Sequence, residues 1–175
     1  LEMIKQDELD CAILAEPFNT SGLEILELYD EPYLVTVPST HEWANRTTIE
    51  PHELITQNML LLGAGHCFRD HVLQVCPELN RTKFLFEEGP KNFEGSSLET
   101  IRQMVMGGIG ISVLPRTAVS KNNFKDTLVK YIPFTPPEPV RRVVLAYRKG
   151  NIRTPAIQAL AKTIKYCPLT DVKWL

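Results

Sequence analysis

Gly63-Ala64-Gly65-His66-Cys67-Phe68-Arg69-Asp70-His71-Val72-Leu73-Gln74-Val75-Cys76 is the stretch from which the rest of the chain is read. The apolar run before it, Met59-Leu60-Leu61-Leu62, predicts a short buried strand ending in a Gly-x-Gly turn. A segment with helical spacing opens at His66 and offers Phe68, Val72, Leu73 and Val75 to an apolar face. Cys67 then falls in the first turn of a helix, where unpaired backbone N–H groups and the positive dipole end favour a thiolate. His66, Arg69 and His71 add positive or polarisable groups beside it. Cys76 follows nine positions later, on the opposite face of the same helix and roughly 13 Å further along its axis. A disulfide spans Cα separations of up to about 7 Å. If the two ever bond, the helix between them must unwind.

Working outward, Cys11-Ala12-Ile13-Leu14 predicts a buried strand, residues 23–29 an edge strand, and residues 33–37 a strand closed by Pro38. Residues 50–54 predict a helical turn and residues 83–87 another strand. Ser96 or Ser97 is a good N-cap for a helix with Glu99 in its first turn and Leu98, Ile101, Met104 and Val105 along one stripe. Gly107-Gly108 ends that helix, and residues 111–114 predict a buried strand. A brief helix over 117–121, strands over 128–132 and 143–147, and a Pro-rich connection over 133–139 follow. Thr154-Pro155 starts the last helix, with Ile157, Leu160, Ala161 and Ile164 on one face. Strands alternating with helices give an α/β class with a parallel or mixed sheet.

With 175 residues the chain can build one good core or two small lobes. Its net charge of −2 and pI near 6.1 argue against this segment gripping DNA by phosphate neutralisation. No apolar run reaches the roughly 20 residues of a membrane span, no signal peptide is visible, and the start at Leu1 reads as a fragment. Four cysteines are too few for a secreted disulfide scaffold. Cys11 reads as a buried structural thiol and Cys167 as a bystander near the surface. In a cytosolic setting Cys67 and Cys76 read as a reversible redox pair more readily than as a permanent bridge. His66, Cys67, His71 and Cys76 are zinc-compatible in composition, but a ligand on the far side of the helix does not converge tetrahedrally, so no metal is expected.

Gly65-His66-Cys67-Phe68-Arg69-Asp70, with its second cysteine at 76, resembles the redox loop of the OxyR family of peroxide-sensing, LysR-type transcriptional regulators. Ser96-Ser97-Leu98-Glu99-Thr100-Ile101-Arg102-Gln103-Met104-Val105, then Gly108-Ile109-Gly110-Ile111-Ser112-Val113-Leu114-Pro115, is similar to the LysR-type effector-domain core. Leu9-Asp10-Cys11-Ala12-Ile13-Leu14 and His41-Glu42-Trp43-Ala44 fit the same family, so the resemblance spans nearly the whole chain. One departure is residues 77–93, longer and more charged than in the family's best-known member.

The resemblance implies a two-lobed effector domain of the type II periplasmic-binding-protein kind. Residues 31–142 would form the second lobe with the redox loop at 63–76. Residues 1–30 and 143–175 would form a first lobe incomplete at its N-terminus, and the DNA-binding winged helix-turn-helix would lie outside this chain. It implies that peroxide oxidises Cys67 to a sulfenic acid beside a mainly polar pocket, and that Cys76 condenses with it to a disulfide. His66, Arg69 and Asp70 would set the surroundings, Arg141 would be the basic partner, and Phe93 and Glu99 would face a partner subunit. The implied partners are hydrogen peroxide, further copies in a homodimer or homotetramer, promoter DNA and RNA polymerase through the full-length protein, and disulfide reductants for reset. No cofactor, membrane or enzymatic turnover is implied, and the location is cytoplasmic. Two competing readings are an effector domain that binds a small organic ligand between its lobes, and a thiol peroxidase, for which no peroxidase-family motif is recognisable.

Overall fold

The computed structural model describes residues 1–63, 65–77, 79, 97–119 and 128–175. The expected strand over 83–87 and the expected interface residue Phe93 lie outside them. The chain opens with helix α1 (Glu2–Lys5) and strand β1 (Cys11–Ala15), then enters a 16-residue strand, β2 (Leu23–Pro38). A 3-10 turn at Pro51–Thr56 precedes helices α2 (Cys67–Val75) and α3 (Leu98–Met106). Strands β3 (Ser112–Pro115), β4 (Val129–Pro133) and β5 (Val140–Arg148), helix α4 (Thr154–Ile164) and the short strand β6 (Lys173–Trp174) complete the order. Two compact units result: Leu1–Pro32 with Val140–Leu175, and Tyr33–Pro139.

In the first unit β5 lies between β1 and the first part of β2, antiparallel to both, with Ala15 opposite Val143 and Leu23 opposite Arg148. The two-residue period of β5 sorts its side chains. Val143, Leu145 and Tyr147 join Leu28, Ile157 and Ala161 in one cluster, while Ala146 joins Ile4 and Leu23 in another. With both faces covered, residues 143–147 read as a continuous apolar run rather than an alternating one. On α4 the covered stripe is narrower than expected. Ile157 and Ala161 are buried, whereas Leu160, one position off that stripe, is 44% exposed. The short β6, which nothing in the sequence signals, pairs with β2 opposite Tyr29 and Asp30. Its Trp174 ring meets Tyr29 edge-on at 5.2 Å.

Residues 23–29 and 33–37, expected as separate strands, are parts of the single strand β2. A register shift between Glu27 and Tyr29 absorbs the local irregularity, and Pro32 stands opposite Val140. A proline is tolerated in a strand where its missing N–H is not asked for. The expected parallel or mixed sheet is also corrected. Every ladder between the described strands is antiparallel. Among the described residues parallel pairing is confined to two isolated bridges, Ile49 with Phe134 and Met59 with Ile111.

In the second unit the later part of β2 is flanked by β3 and β4, with Thr36 opposite both Ser112 and Tyr131. Val35, Val37, Ile111 and Val113 form its core with Phe68, Val72 and Leu73 from α2 and Ile101 and Val105 from α3. Ser97 caps α3 by accepting from the Thr100 N–H at 3.1 Å, as its residue type predicts. The run 59–62 is held alongside the entry to β3. Leu60 N–H donates to the Ile111 carbonyl at 2.8 Å, and Ile111 N–H donates to the Asn58 carbonyl at 2.9 Å. Only glycine fits at 110, because a Cβ there would stand 2.4 Å from the Asn58 carbonyl oxygen.

Candidate functional site

The site grows from the turn that follows the run 59–62. Gly65 adopts a φ of +93°, a left-handed conformation that favours glycine, and this lets the chain reverse into α2 within a few residues. His66 is the extended N-cap residue of α2; its own side chain makes no capping bond among the described residues. Its carbonyl accepts the first helical bond, from Arg69 N–H at 2.9 Å. Cys67 is the first residue of α2 and its side chain is exposed. Asp70, also exposed, stands in the first turn, where the helix dipole favours an acid. Cys67, His66, Arg69 and Asp70 thus share one helix start.

The core side of α2 is packed. Phe68, His71, Val72 and Leu73 are buried, and the Phe68 ring lies edge-on to Tyr33 at 6.0 Å and to His71 at 6.4 Å. His71 is therefore a packing residue of the helix, buried one turn along from the exposed thiol. Arg69 is half-buried and donates from Nη1 to the carbonyl of Leu62 at 2.9 Å. The seam beside it runs between Leu62, Phe68 and Val72 on one side and Leu98 and Ile101 on the other. It is too narrow to admit a water molecule and mainly apolar, with Ser112 its other polar residue. The Ser112 hydroxyl donates to the Leu60 carbonyl at 2.8 Å.

Cys76 occupies the other end of the helix. It is the C-cap residue, donates its N–H to the Val72 carbonyl at 3.3 Å, and is 0% exposed within the core. The two cysteines are both thiols, one outside and one inside, separated by the length of α2. Cys11 is half-buried; burial first, then the Asp10 charge, pushes its thiol above the ordinary range. Cys167 is exposed.

Arg141 belongs to β5 of the first unit. Its Nε donates to Oε2 of Glu31 at 2.6 Å, and that carboxylate is fully buried. Glu99 projects from the first turn of α3, 62% exposed. Hydrogen bonds from Arg102 and then Gln103 hold its carboxyl down at about 2. Among the described residues no group of His, Cys, Asp and Glu is placed to hold a metal ion, and no helix is long and apolar enough to cross a membrane. What sequence reasoning missed is the carbonyl of Leu62 as the partner of Arg69. A main-chain acceptor leaves no residue-type signal.

This architecture has known counterparts. The LysR substrate binding domain model matches residues 1–166. The reduced form of OxyR from N. meningitidis is similar with a TM-score of 0.91 at 39% identity, over 99% of this chain and 79% of that one. The reduced OxyR regulatory domain from Pseudomonas aeruginosa is similar with a TM-score of 0.80 at 38% identity, over 95% of this chain and 77% of that one. The DNA-binding transcriptional dual regulator OxyR of Escherichia coli (strain K12) is 35% identical over 168 residues, 94% of this chain. The chain spans about half, 52%, of that relative's length. The chain belongs to the LysR substrate-binding domain family, as a two-lobed type II regulatory domain of the OxyR type.

Proposed function

We propose that the chain is the peroxide-sensing regulatory portion of a DNA-binding transcriptional regulator. The Cys67 thiolate attacks one peroxide oxygen: an S–O bond forms, the O–O bond breaks, and the departing hydroxide takes a proton to become water. The Cys76 thiolate then attacks the sulfenic sulfur: an S–S bond forms, the S–O bond breaks, and a second water leaves. His66 and Asp70 shape the surroundings of the exposed thiol. The reaction is stoichiometric, with cellular dithiols restoring both thiols, so the chain senses peroxide rather than turning it over.

The single observation that carries this reading is the placement of the two thiols. An exposed cysteine opens α2 and a buried one closes it, in a chain of the OxyR type. Joining them requires α2 to unwind, because about nine residues of helical rise exceed disulfide reach roughly twofold. Unwinding α2 repacks its buried face against α3. That gives oxidation a route to an exposed helix face at Glu99, on which a partner subunit of a homodimer or homotetramer docks. In this reading the second regulatory lobe, expected over residues 31–142, is the unit Tyr33–Pro139, and the unit of Leu1–Pro32 with Val140–Leu175 belongs to the first. Promoter DNA and RNA polymerase are engaged by the whole protein in the cytoplasm.

The test is a thiol count by mass spectrometry, with peptide mapping, before and after one equivalent of hydrogen peroxide. Loss of two hydrogens mapped to a Cys67–Cys76 link is the expected result. Survival of all four thiols at modest peroxide excess refutes it and leaves a small organic effector as the stimulus.

A further inference from the structure

We infer that Arg69 is a positioning residue that latches the start of α2 in the reduced chain, by bonding the Leu62 carbonyl across the glycine turn. Its functional consequence rests on the redox reading above; the latch itself rests on geometry. The run that carries Leu62 is fixed. Ile111 N–H holds the Asn58 carbonyl at 2.9 Å, Leu60 N–H holds the Ile111 carbonyl at 2.8 Å, and the Ser112 hydroxyl holds the Leu60 carbonyl at 2.8 Å. Among the described residues helix α2 has no comparable backbone tie to that run. Across the intervening turn the backbone offers His66 N–H to the Gly63 carbonyl at 3.3 Å, at the long end of hydrogen bonding.

The N-cap side chain gives no help either, since His66 makes no capping bond among the described residues. A Ser, Thr, Asp or Asn there would have tied down the first turn. The Arg69 Nη1–Leu62 bond, at 2.9 Å, takes that place from the third residue of the helix. It is charge-assisted, and the Leu62 it ties down is a buried residue of the core.

Bringing Cys67 to Cys76 unwinds the first turn of α2 and carries Arg69 away from Leu62. The latch therefore favours the dithiol form and sets how oxidising the surroundings must be before the chain switches. This differs from a role in reacting with peroxide. A latch moves the thiol–disulfide equilibrium and the opening of the helix, whereas a group acting on the peroxide moves the rate of sulfenic acid formation alone.

The test compares the full chain with Arg69→Gln and Arg69→Lys. Each is equilibrated in glutathione buffers of stepped composition, where the chain dithiol and oxidised glutathione exchange for the chain disulfide and two reduced glutathiones. The Cys67–Cys76 link is measured by alkylation and mass spectrometry. Arg69→Gln is expected to raise the equilibrium constant for disulfide formation about tenfold, which is ~1.4 kcal/mol, with Arg69→Lys between it and the parent. In the fully reduced chains, amide exchange over residues 67–70 is expected to be about tenfold faster in Arg69→Gln. Arg46→Gln, which removes an ion pair to Glu53 away from α2, should move neither.

If the parent never forms the Cys67–Cys76 link, the redox reading fails, and the exchange measurement alone decides the latch. Unchanged exchange in Arg69→Gln overturns the latch, as does an unchanged equilibrium constant in a parent that does form the link. Should Arg69→Gln fail to fold, Arg69→Lys carries both measurements, and parent-like values in it count against the inference.

Discussion

Replacing Gly110 by alanine tests whether the run leading into α2 is held as tightly as the structure indicates. The new Cβ would lie 2.4 Å from the main-chain oxygen of Asn58 and 3.2 Å from both Nδ2 of Asn58 and Cγ of Leu60. A main-chain oxygen cannot rotate away, so Asn58 must retreat by roughly an ångström to reach ordinary contact. That retreat strains the bond it accepts from Ile111 N–H at 2.9 Å and the bond from Asn58 Nδ2 to the Ile109 carbonyl at 2.7 Å. Two weakened hydrogen bonds, each worth about 0.5–1.5 kcal/mol, add to an overpacking cost of about 1–3 kcal/mol. The expected loss is about 2–6 kcal/mol. Urea unfolding of the reduced chain at neutral pH measures it, with Gly107→Ala as companion. At Gly107 the nearest atom to a new Cβ is 3.5 Å away and the backbone is right-handed helical, so a change within about 0.5 kcal/mol is expected. If the two variants lose equal stability, or Gly110→Ala loses under about 0.5 kcal/mol, the close approach is not a constraint and the reasoning fails.

Three further outcomes are expected. Cys76→Ser leaves Cys67 able to form a sulfenic acid, trapped by a carbon-acid probe and seen by mass spectrometry, but abolishes the stable switch; undiminished intramolecular disulfide in that variant would falsify the pairing. Phe68→Ala empties a site packed against Tyr33 and His71 and is expected to cost about 3–5 kcal/mol in urea unfolding; a loss under about 1 kcal/mol would mean that α2 is not anchored by this ring. Glu99 has a folded-state value of about 2, depressed below its usual 4.5 chiefly by Arg102. Its contribution is therefore present above the usual value and lost as pH falls through about 2. The side chain is 62% exposed, so Glu99→Gln is expected to cost less than about 1 kcal/mol at pH 7. The difference from the parent should close between pH 4.5 and 2, and a gap that persists at the acid end would contradict this assignment.

The chain announces its site more openly than its sheets. The Gly-x-Gly turn, the helical spacing after His66 and the serine before Leu98 are local signals, and local physics placed both helices. Strand partners are non-local, and there the sequence is less direct. Asp30-Glu31-Pro32 looks like a break between two strands, yet cross-strand pairing with Val140, Arg141 and Arg142 carries β2 straight through it. The two residues of β6 are too few to carry a period and depend on Tyr29 for their place. Leu160 follows the helical repeat and is still exposed, because helical spacing says which residues share a face but not how wide a strip the neighbouring sheet covers. Arg69 shows the limit for the site itself. Its charge is legible, but which acceptor it meets depends on how the turn between Leu62 and Cys67 folds back.

The unequal exposure of the two thiols of α2 also has a meaning in time. A sulfenic acid on Cys67 would form at the surface, while the group that resolves it waits at the buried end of an intact helix. Between the two events the oxidised sulfur faces solvent, and its fate is a race. Helix opening leads to the internal disulfide; arrival of a small thiol first gives a mixed disulfide; a second peroxide gives a sulfinic acid. On the proposed pairing, the opening rate of one short helix would act as a clock, sorting brief exposure to oxidant from sustained exposure by the product each leaves behind.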